Sequence, residues 1–145
     1  YTGIGNFMVH GKQKFAKRLA MLADGTGITP IYQVAQAILK DPEDHTEMYL
    51  VYSNHAEDDI LLREEFDAWA KTHCDRFKVW YVLGIAKEGW QYSVGRITEY
   101  YEGAPSRNIE RCLGFNLWAT PMIKFAVKPN LEKMGYDIEN DLLVV

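Results

Sequence analysis

The sequence predicts an α/β domain: an open, mostly parallel five-stranded sheet with helices on both faces. Three observations predict it. Short apolar runs alternate with segments of helical spacing, the pattern of β-α-β units whose strands are buried on both sides. The first clear run, Leu19–Ala23, ends in the glycine-rich turn Asp24-Gly25-Thr26-Gly27 and leads directly into a helix. The bulk composition is also that of a globular domain: 145 residues, 48% hydrophobic and 25% charged, is enough to bury a core without disulfides.

Residues 1–17 read as a connector, because Gly3, Gly5 and Gly11 break any regular pattern. The basic run Lys12, Lys14, Lys17 and Arg18 is either a solvated face or a docking surface for an acidic partner. In the strand–turn–helix unit that follows, Thr29 caps a helix started by Pro30, with apolar residues at Ile31, Val34, Ala35, Ile38 and Leu39. Unpaired amides at such a turn, together with the helix dipole, make an anion site suited to the phosphates of a nucleotide. A glycine pair in an α/β loop can equally bind nothing, so the turn alone does not decide.

Asp41-Pro42-Glu43-Asp44 makes a turn, and Met48–Tyr52 is a buried strand ending at Ser53-Asn54-His55-Ala56. A helix is expected to begin near Asp58, with Leu62, Phe66 and Trp69 facing the sheet as core residues. Asp59 carries two readings. It is either one of three acidic residues stabilised by the dipole of a first helical turn, or a carboxylate that accepts hydrogen bonds from an adenosine ribose and so selects NADH over NADPH. Phe77–Leu83 is a third strand, Lys87-Glu88-Gly89-Trp90 a loop, and Ser93–Thr98 the start of the next element. Pro121 starts a helix running to residue 134, and Asp141–Val145 closes the sheet. Arg107, Asn108, Glu110 and Arg111 interrupt any strand before Cys112, so the fifth strand should be short or irregular. In such folds, ligands bind in the crevice at the carboxyl ends of the strands.

The net charge of −4 gives no general pull toward nucleic acid or anionic membrane. No apolar run approaches a membrane span, and no signal peptide is visible. Cys74 and Cys112 fit no metal spacing, which points to a reducing compartment, and His10, His45, His55 and His73 are scattered without a nucleophile partner. There is no nucleophile elbow and no phosphate loop with a lysine. The start at Tyr1 reads as the start of a fragment.

Ala23-Asp24-Gly25-Thr26-Gly27-Ile28-Thr29-Pro30 resembles the Gly-Gly-Thr-Gly-Ile-Thr-Pro segment that opens the nucleotide lobe of the ferredoxin-reductase and cytochrome b5 reductase superfamily. Other stretches narrow the resemblance to assimilatory NADH:nitrate reductases: Tyr1-Thr2-Gly3 with Gly5-Asn6-Phe7, Pro42–Met48, Glu57–Glu65, Glu88–Gly95 and Pro121–Leu143. The resemblance implies a Rossmann-like NADH-binding domain over residues 18–145, with residues 1–17 leaving an FAD-binding barrel that this chain lacks. It implies hydride transfer from NADH to FAD, then electron flow through a b5-type haem to a molybdenum centre that reduces nitrate. Of these cofactors, this lobe would hold NADH alone, and it would not reduce nitrate by itself. Its partners would be the barrel and the haem domain, in a cytoplasmic enzyme that dimerises through other domains. Gly25, Thr26, Gly27 and Thr29 would form the pyrophosphate and flavin-facing turn, and Asp59 would hold the adenosine ribose. Asn54 and Gly95 would add contacts, and Pro121 and Met122 would border the nicotinamide. The alternatives are a stand-alone NADH–cytochrome b5 reductase fragment and a non-catalytic α/β module that has lost its cofactor.

Three positions depart from the family pattern. Asp24 replaces the first glycine of the turn, Val145 replaces the terminal aromatic that lies against the flavin, and Leu117-Trp118-Ala119-Thr120 stands where the family has Cys-Gly-Pro-Pro. The last has an explanation in the genetic code. Leu-Trp-Ala-Thr can be encoded TTG TGG GCC ACC, which read one base later opens Cys-Gly-Pro-Pro; Tyr101-Glu102-Gly103-Ala104 shifted likewise can read Met-Arg-Glu-His, close to the family's Leu-Arg-Glu-His. On that reading, residues 100–120 are a displaced frame, and the native chain is one residue longer and has the cysteine.

Overall fold

The computed structural model describes residues 1–95 and, as backbone strands, residues 112–117 and 142–144. The chain opens with an antiparallel hairpin, β1 (Asn6–Val9) and β2 (Lys12–Phe15). This corrects the reading of residues 1–17 as irregular. His10 and Gly11 both have positive φ, 49° and 76°, as the tight turn between right-twisted strands requires, so this glycine makes the pattern and does not break it. Phe7 and Val9 point into the core while Met8 is exposed. Four-residue strands are too short for that alternation to stand out in a sequence.

The main sheet is built from β3 (Arg18–Asp24), β4 (Glu47–Asn54), β5 (Phe77–Leu83), β6 (Ser93–Val94), β7 (Cys112–Leu117) and β8 (Leu142–Val144), in the order β6-β5-β4-β3-β7-β8. Every pairing is parallel. The expected α/β architecture is therefore present, with six strands among the described residues where five were expected. The extra one is β6, whose two residues pair with Val82 and Leu83 at the sheet edge and are too few to carry a periodic signal. β7 is six residues long and keeps an unbroken register with β3 from Arg18↔Cys112 to Ala23↔Leu117. Residues 107–111, which were expected to interrupt it, lie outside the described residues, as do the expected helix over 121–134 and Val145.

Helices α1 (Ile28–Lys40) and α2 (Arg63–Thr72) make the two crossovers β3-α1-β4 and β4-α2-β5. Both step the same way across the sheet, so right-handed connections put both helices on one face. Their contact is aromatic: Tyr32 of α1 stacks on Trp69 of α2 at 5.2 Å and meets Phe66 edge-on at 6.2 Å. Phe66 is fully buried, stacked on Phe77 and edge-on to Tyr52, which makes it the centre of this side of the core. Trp69 packs against the same cluster, as its helical spacing predicts.

After β3 the chain builds β4 and β5 on one side, and β7 and β8 fill the other. The carboxyl ends of β3 and β7 therefore flank the point where strand order reverses, the usual place for a ligand crevice in an open α/β sheet. At the opposite, amino end, buried Asp44 ties the hairpin down. Its carboxylate accepts from the Thr46 amide (2.9 Å), the Thr46 hydroxyl (2.6 Å), the Gly5 amide (3.3 Å) and the Tyr1 hydroxyl. Arg76 closes the same corner by donating to the carbonyls of Asp44 (2.5 Å) and Asp41 (3.1 Å).

Candidate functional site

The glycine turn leaves β3 at the reversal point. Gly25–Gly27 form a single 3-10 turn running into α1. Gly25 has φ +52°, and a Cβ built there would meet nothing within 4 Å. Glycine is thus required by backbone conformation, and the space above it is open to a ligand. α1 starts at Ile28 with Gly27 as its N-cap, two residues earlier than expected. Thr29 does not cap the helix. It sits in the first turn and donates its hydroxyl to the Thr26 carbonyl at 2.8 Å, which stiffens the turn and leaves the helix amides without a side-chain cap. Thr26 and Thr29 are exposed, while Gly27 is buried. Open backbone at a helix N-terminus suits an anion.

Asp24 ends β3 in extended conformation, φ −131° and ψ 124°, so its position does not demand glycine. Its carboxylate is half-exposed, immediately before the turn. Tyr52, a residue not singled out from sequence, supports the turn from below by donating its hydroxyl to the Gly25 carbonyl at 2.9 Å. Burial pushes the Tyr52 hydroxyl above its ordinary pKa, so it stays a donor through the neutral range. Only the three-dimensional pairing of β3 with β4 brings Tyr52 to Gly25, so no sequence signal marked it.

Asn54 lies two residues beyond Tyr52 on the same face and at the very end of β4. It is 4% exposed, and neither its amide nitrogen nor its amide oxygen has a hydrogen-bond partner. The Asn54 carbonyl accepts from the Gly84 amide at 3.0 Å, and the His55 carbonyl from the Ile85 amide at 2.8 Å, so the exits of β4 and β5 are stitched together. Gly84, also missed from sequence, permits this approach: a Cβ there would lie 3.3 Å from the His55 carbonyl oxygen.

The acidic segment behaves differently from either helix-start reading. Glu57–Asp59 form their own 3-10 turn, and α2 begins only at Arg63 after Leu62, which takes a left-handed φ of 57°. The acids of the first α2 turn are Glu64 and Glu65, so helix-dipole stabilisation of residues 57–59 is corrected. Asp59 is exposed and accepts the Ala56 amide at 3.2 Å, holding its turn against the exit of β4. Glu57 pairs with Arg63 at 2.5 Å. That guanidinium also lies over the Tyr81 and Trp90 rings, 5.7 and 5.4 Å from their centroids. Gly95 follows β6 with a φ of +126°, and its amide donates to the Leu83 carbonyl at 2.8 Å, which ends the strand at the sheet edge.

Gly25, Thr26, Gly27, Thr29 and Asn54 are thus gathered at the carboxyl end of the sheet, with Asp59 at the rim beyond β4 and Gly95 beyond β5. Leu117 is the last residue of β7, level with Ala23 across the reversal point. Pro121 and Met122 lie outside the described residues. Among the described residues no group of His, Cys, Asp or Glu could hold a metal ion, and no helix is long and apolar enough to cross a membrane.

Residues 21–113, which contain the turn, match the family described as the oxidoreductase NAD-binding domain. The chain belongs to that family. Among relatives of this NAD-binding domain, it is 68% identical over 146 residues to the NADH nitrate reductase of Lotus japonicus and 60% identical to nitrate reductase 1 of Arabidopsis thaliana. In both cases 99% of this chain is covered, and it spans 16% of the relative's length. Among solved structures, the cytochrome b5 reductase domain of Ulva prolifera nitrate reductase superposes with a TM-score of 0.94 and 42% identity, covering 100% of this chain and 56% of that one. The human Ncb5or CS-b5R structure, at 24% identity and a TM-score of 0.78, shares the fold. The NAD-binding domain is thus of the ferredoxin-reductase type, as the sequence resemblance implied.

Proposed function

We propose that this chain is the NADH-binding lobe of an assimilatory nitrate reductase, with residues 18–145 as the lobe proper and residues 1–17 leading from an FAD-binding barrel. The observation that carries the reading is the Gly25–Gly27 turn, open above Gly25 and set beside a helix N-terminus at the reversal point of the sheet, in a lobe closely similar to those of plant NADH nitrate reductases. Gly25, Thr26, Gly27 and Thr29 receive the pyrophosphate through backbone amides and hydroxyls. Asp59 takes the adenosine ribose, Asn54 and Gly95 line the same half, and Pro121 and Met122 border the nicotinamide. The bound dinucleotide supplies a hydride, which the whole enzyme passes to FAD and then, as electrons, through a b5-type haem to a molybdenum centre where nitrate is reduced. The contribution of this chain is to bind and orient. The strand ends fix the turn, Tyr52 holds the Gly25 carbonyl, and the crevice between β3 and β7 sets where the nicotinamide half can lie. The parent enzyme is cytoplasmic and pairs through its other domains.

A second reading is a lobe without hydride transfer, favoured by Asp24 at the turn and Leu117 at the end of β7. The displaced frame over residues 100–120 reconciles Leu117 with the first reading. The deciding experiment is titration of the full-length protein with NADH, following bleaching of the flavin. Rapid bleaching by NADH is expected, and binding without bleaching would favour the second reading.

A further inference from the structure

Two loops border the β5 side of the crevice: residues 55–62, which follow β4, and residues 84–92, which follow β5. At their roots the backbone joins them, the Gly84 and Ile85 amides donating to the Asn54 and His55 carbonyls. Nearer the surface the links are side chains. Asp58 and Lys87 pair at 3.4 Å with their side chains 84% and 75% exposed, and a pair so exposed contributes little. Arg63, the first residue of α2, is placed differently. Its guanidinium reaches Glu57 at 2.5 Å, lies over the Tyr81 and Trp90 rings, and is only one-third exposed. Asp67, one turn along α2, stands 3.6 Å from its Nε and accepts the Tyr81 hydroxyl at 2.8 Å, so that carboxylate is itself held from β5. The cation is thus tied to the β4 loop by charge and to the β5 side by ring faces, two contacts that a planar guanidinium makes together. Leu62, just before it, has a φ of 57°, a strained conformation that a non-glycine residue keeps only where its neighbours hold it. From Trp90 the order continues outward, since its indole N–H donates to the Ser93 carbonyl at 3.1 Å, two residues before Gly95.

We propose that Arg63 is a positioning residue for the dinucleotide: by gripping Glu57 while it lies over the Tyr81 and Trp90 rings, it holds the β4 and β5 loops as one preformed wall. This rests on the nucleotide reading of the site. Arg63 acts through the acidic turn. Glu57 opens the 3-10 turn that Asp59 closes, and Asp59 accepts the Ala56 amide at 3.2 Å, so fixing Glu57 fixes the whole turn. Without the grip each loop is held at its root alone, and a ligand would have to order both as it binds. That ordering subtracts from affinity, whereas a wall already in place does not. The nicotinamide flank at the end of β7 lies on the other side of β3, so the effect should fall on the binding of NADH more than on turnover.

The test is hydrogen exchange, read by mass spectrometry on the ligand-free full-length protein, beside steady-state oxidation of NADH with ferricyanide as acceptor. The proteins compared are the wild type, Arg63→Gln, Arg63→Lys and Glu57→Gln. In Arg63→Gln, peptides over residues 54–62 and over residues 84–95 should both exchange about fivefold faster, while peptides over β3 keep wild-type rates. KM for NADH should rise about 3- to 20-fold, with a smaller fall in kcat. Arg63→Lys keeps the charge and loses the planar face, so it should restore residues 54–62 and leave residues 84–95 loose. Glu57→Gln leaves Arg63 on its rings and should loosen residues 54–62 alone, with a raised KM; it carries the comparison should Arg63→Gln not fold. Loosening confined to residues 54–62 in Arg63→Gln would reduce Arg63 to a local ion pair and overturn the proposal. Both loops loosened with KM unchanged would overturn it as well, and so would a Glu57→Gln protein with wild-type exchange and KM. A wild type without saturable oxidation of NADH would overturn the nucleotide reading, and with it the role assigned to the grip, even where the exchange rates followed the expected pattern.

Discussion

Replacing Asp44 by alanine should release the N-terminal hairpin from the lobe. Four donors converge on this one carboxylate, from Thr46 twice, Gly5 and Tyr1, and the group is fully buried. A hydrogen bond to a charged group contributes about 1.5–3 kcal/mol net, and bonds that share one carboxylate do not add independently. Removing the acceptor should therefore cost about 3–4 kcal/mol, within the range for breaking a buried charged cluster by deleting one partner. For a domain of this size that is about 6–16 °C in melting temperature. The pH dependence gives an independent check. Burial raises the Asp44 pKa, but the hydrogen bonds from Thr46 and Tyr1 outweigh it and hold the carboxyl below its ordinary value. A lowered folded-state pKa stabilises above the unfolded value, about 3.9, and that contribution is lost as pH falls through the folded value. The gap in melting temperature between wild type and Asp44→Asn, followed by circular dichroism, should therefore be full at pH 6 and narrow steadily below pH 4. A loss under about 2 °C in Asp44→Ala, or a gap that widens in acid, would refute the argument.

Asp24→Gly removes a carboxylate beside the phosphate turn. A like-charge pair at ~5 Å costs about 3 kcal/mol at an effective dielectric near 20, and half-exposure and salt reduce this to about 1–2 kcal/mol, so NADH should bind about 5- to 30-fold tighter at low salt; equal binding would sink the idea. Tyr52→Phe deletes the hydroxyl beneath Gly25 at a cost of about 0.5–1.5 kcal/mol, read as a matching loss of thermal stability and a Kd for NADH raised by up to about tenfold, whereas an unchanged Kd would mean that the turn holds itself. Peptide mapping of the protein from its natural source across Thr98–Met122 should yield a peptide containing Cys-Gly-Pro-Pro-Pro-Met; recovery of Leu-Trp-Ala-Thr-Pro-Met would retire the displaced frame.

Most strands of the sheet could be read from sequence, because a strand buried on both faces is a continuous apolar run. Phe77–Leu83 falls where it was expected, and Met48–Tyr52 is only extended to Glu47–Asn54. Signals shorter than about five residues carried no strand assignment: the hairpin was read as a connector, and β6 starts at Ser93, where an element was expected but its type was not legible. Helix starts were misplaced where a polar residue had two possible uses. Thr29 could have capped α1 but bonds back to Thr26. The run Glu57-Asp58-Asp59 could have opened α2 but closes a separate turn, with Leu62 making the left-handed reversal that follows. The turn itself was legible because its glycines answer a local backbone demand. The residues that support it were not, since Tyr52 reaches Gly25 across 27 positions of sequence.

That support connects the core to the site. Phe66 packs on Phe77 below and Tyr52 above, and Tyr52 carries the contact up to the Gly25 carbonyl. Tyr81 extends the same layer sideways, donating to Asp67 at 2.8 Å beneath the Arg63 guanidinium. Well-packed side chains move little, so the height of the glycine turn above the sheet is set by a stack of rings and not by the loop. The loop can then keep its amides free for a ligand, since its own hydrogen bonds are not needed to hold it in place. Asn54 stands at the end of β4 on the same face, one step past Tyr52, with its buried side-chain amide beside the Tyr52 hydroxyl, so the layer carries its order to the edge of the turn.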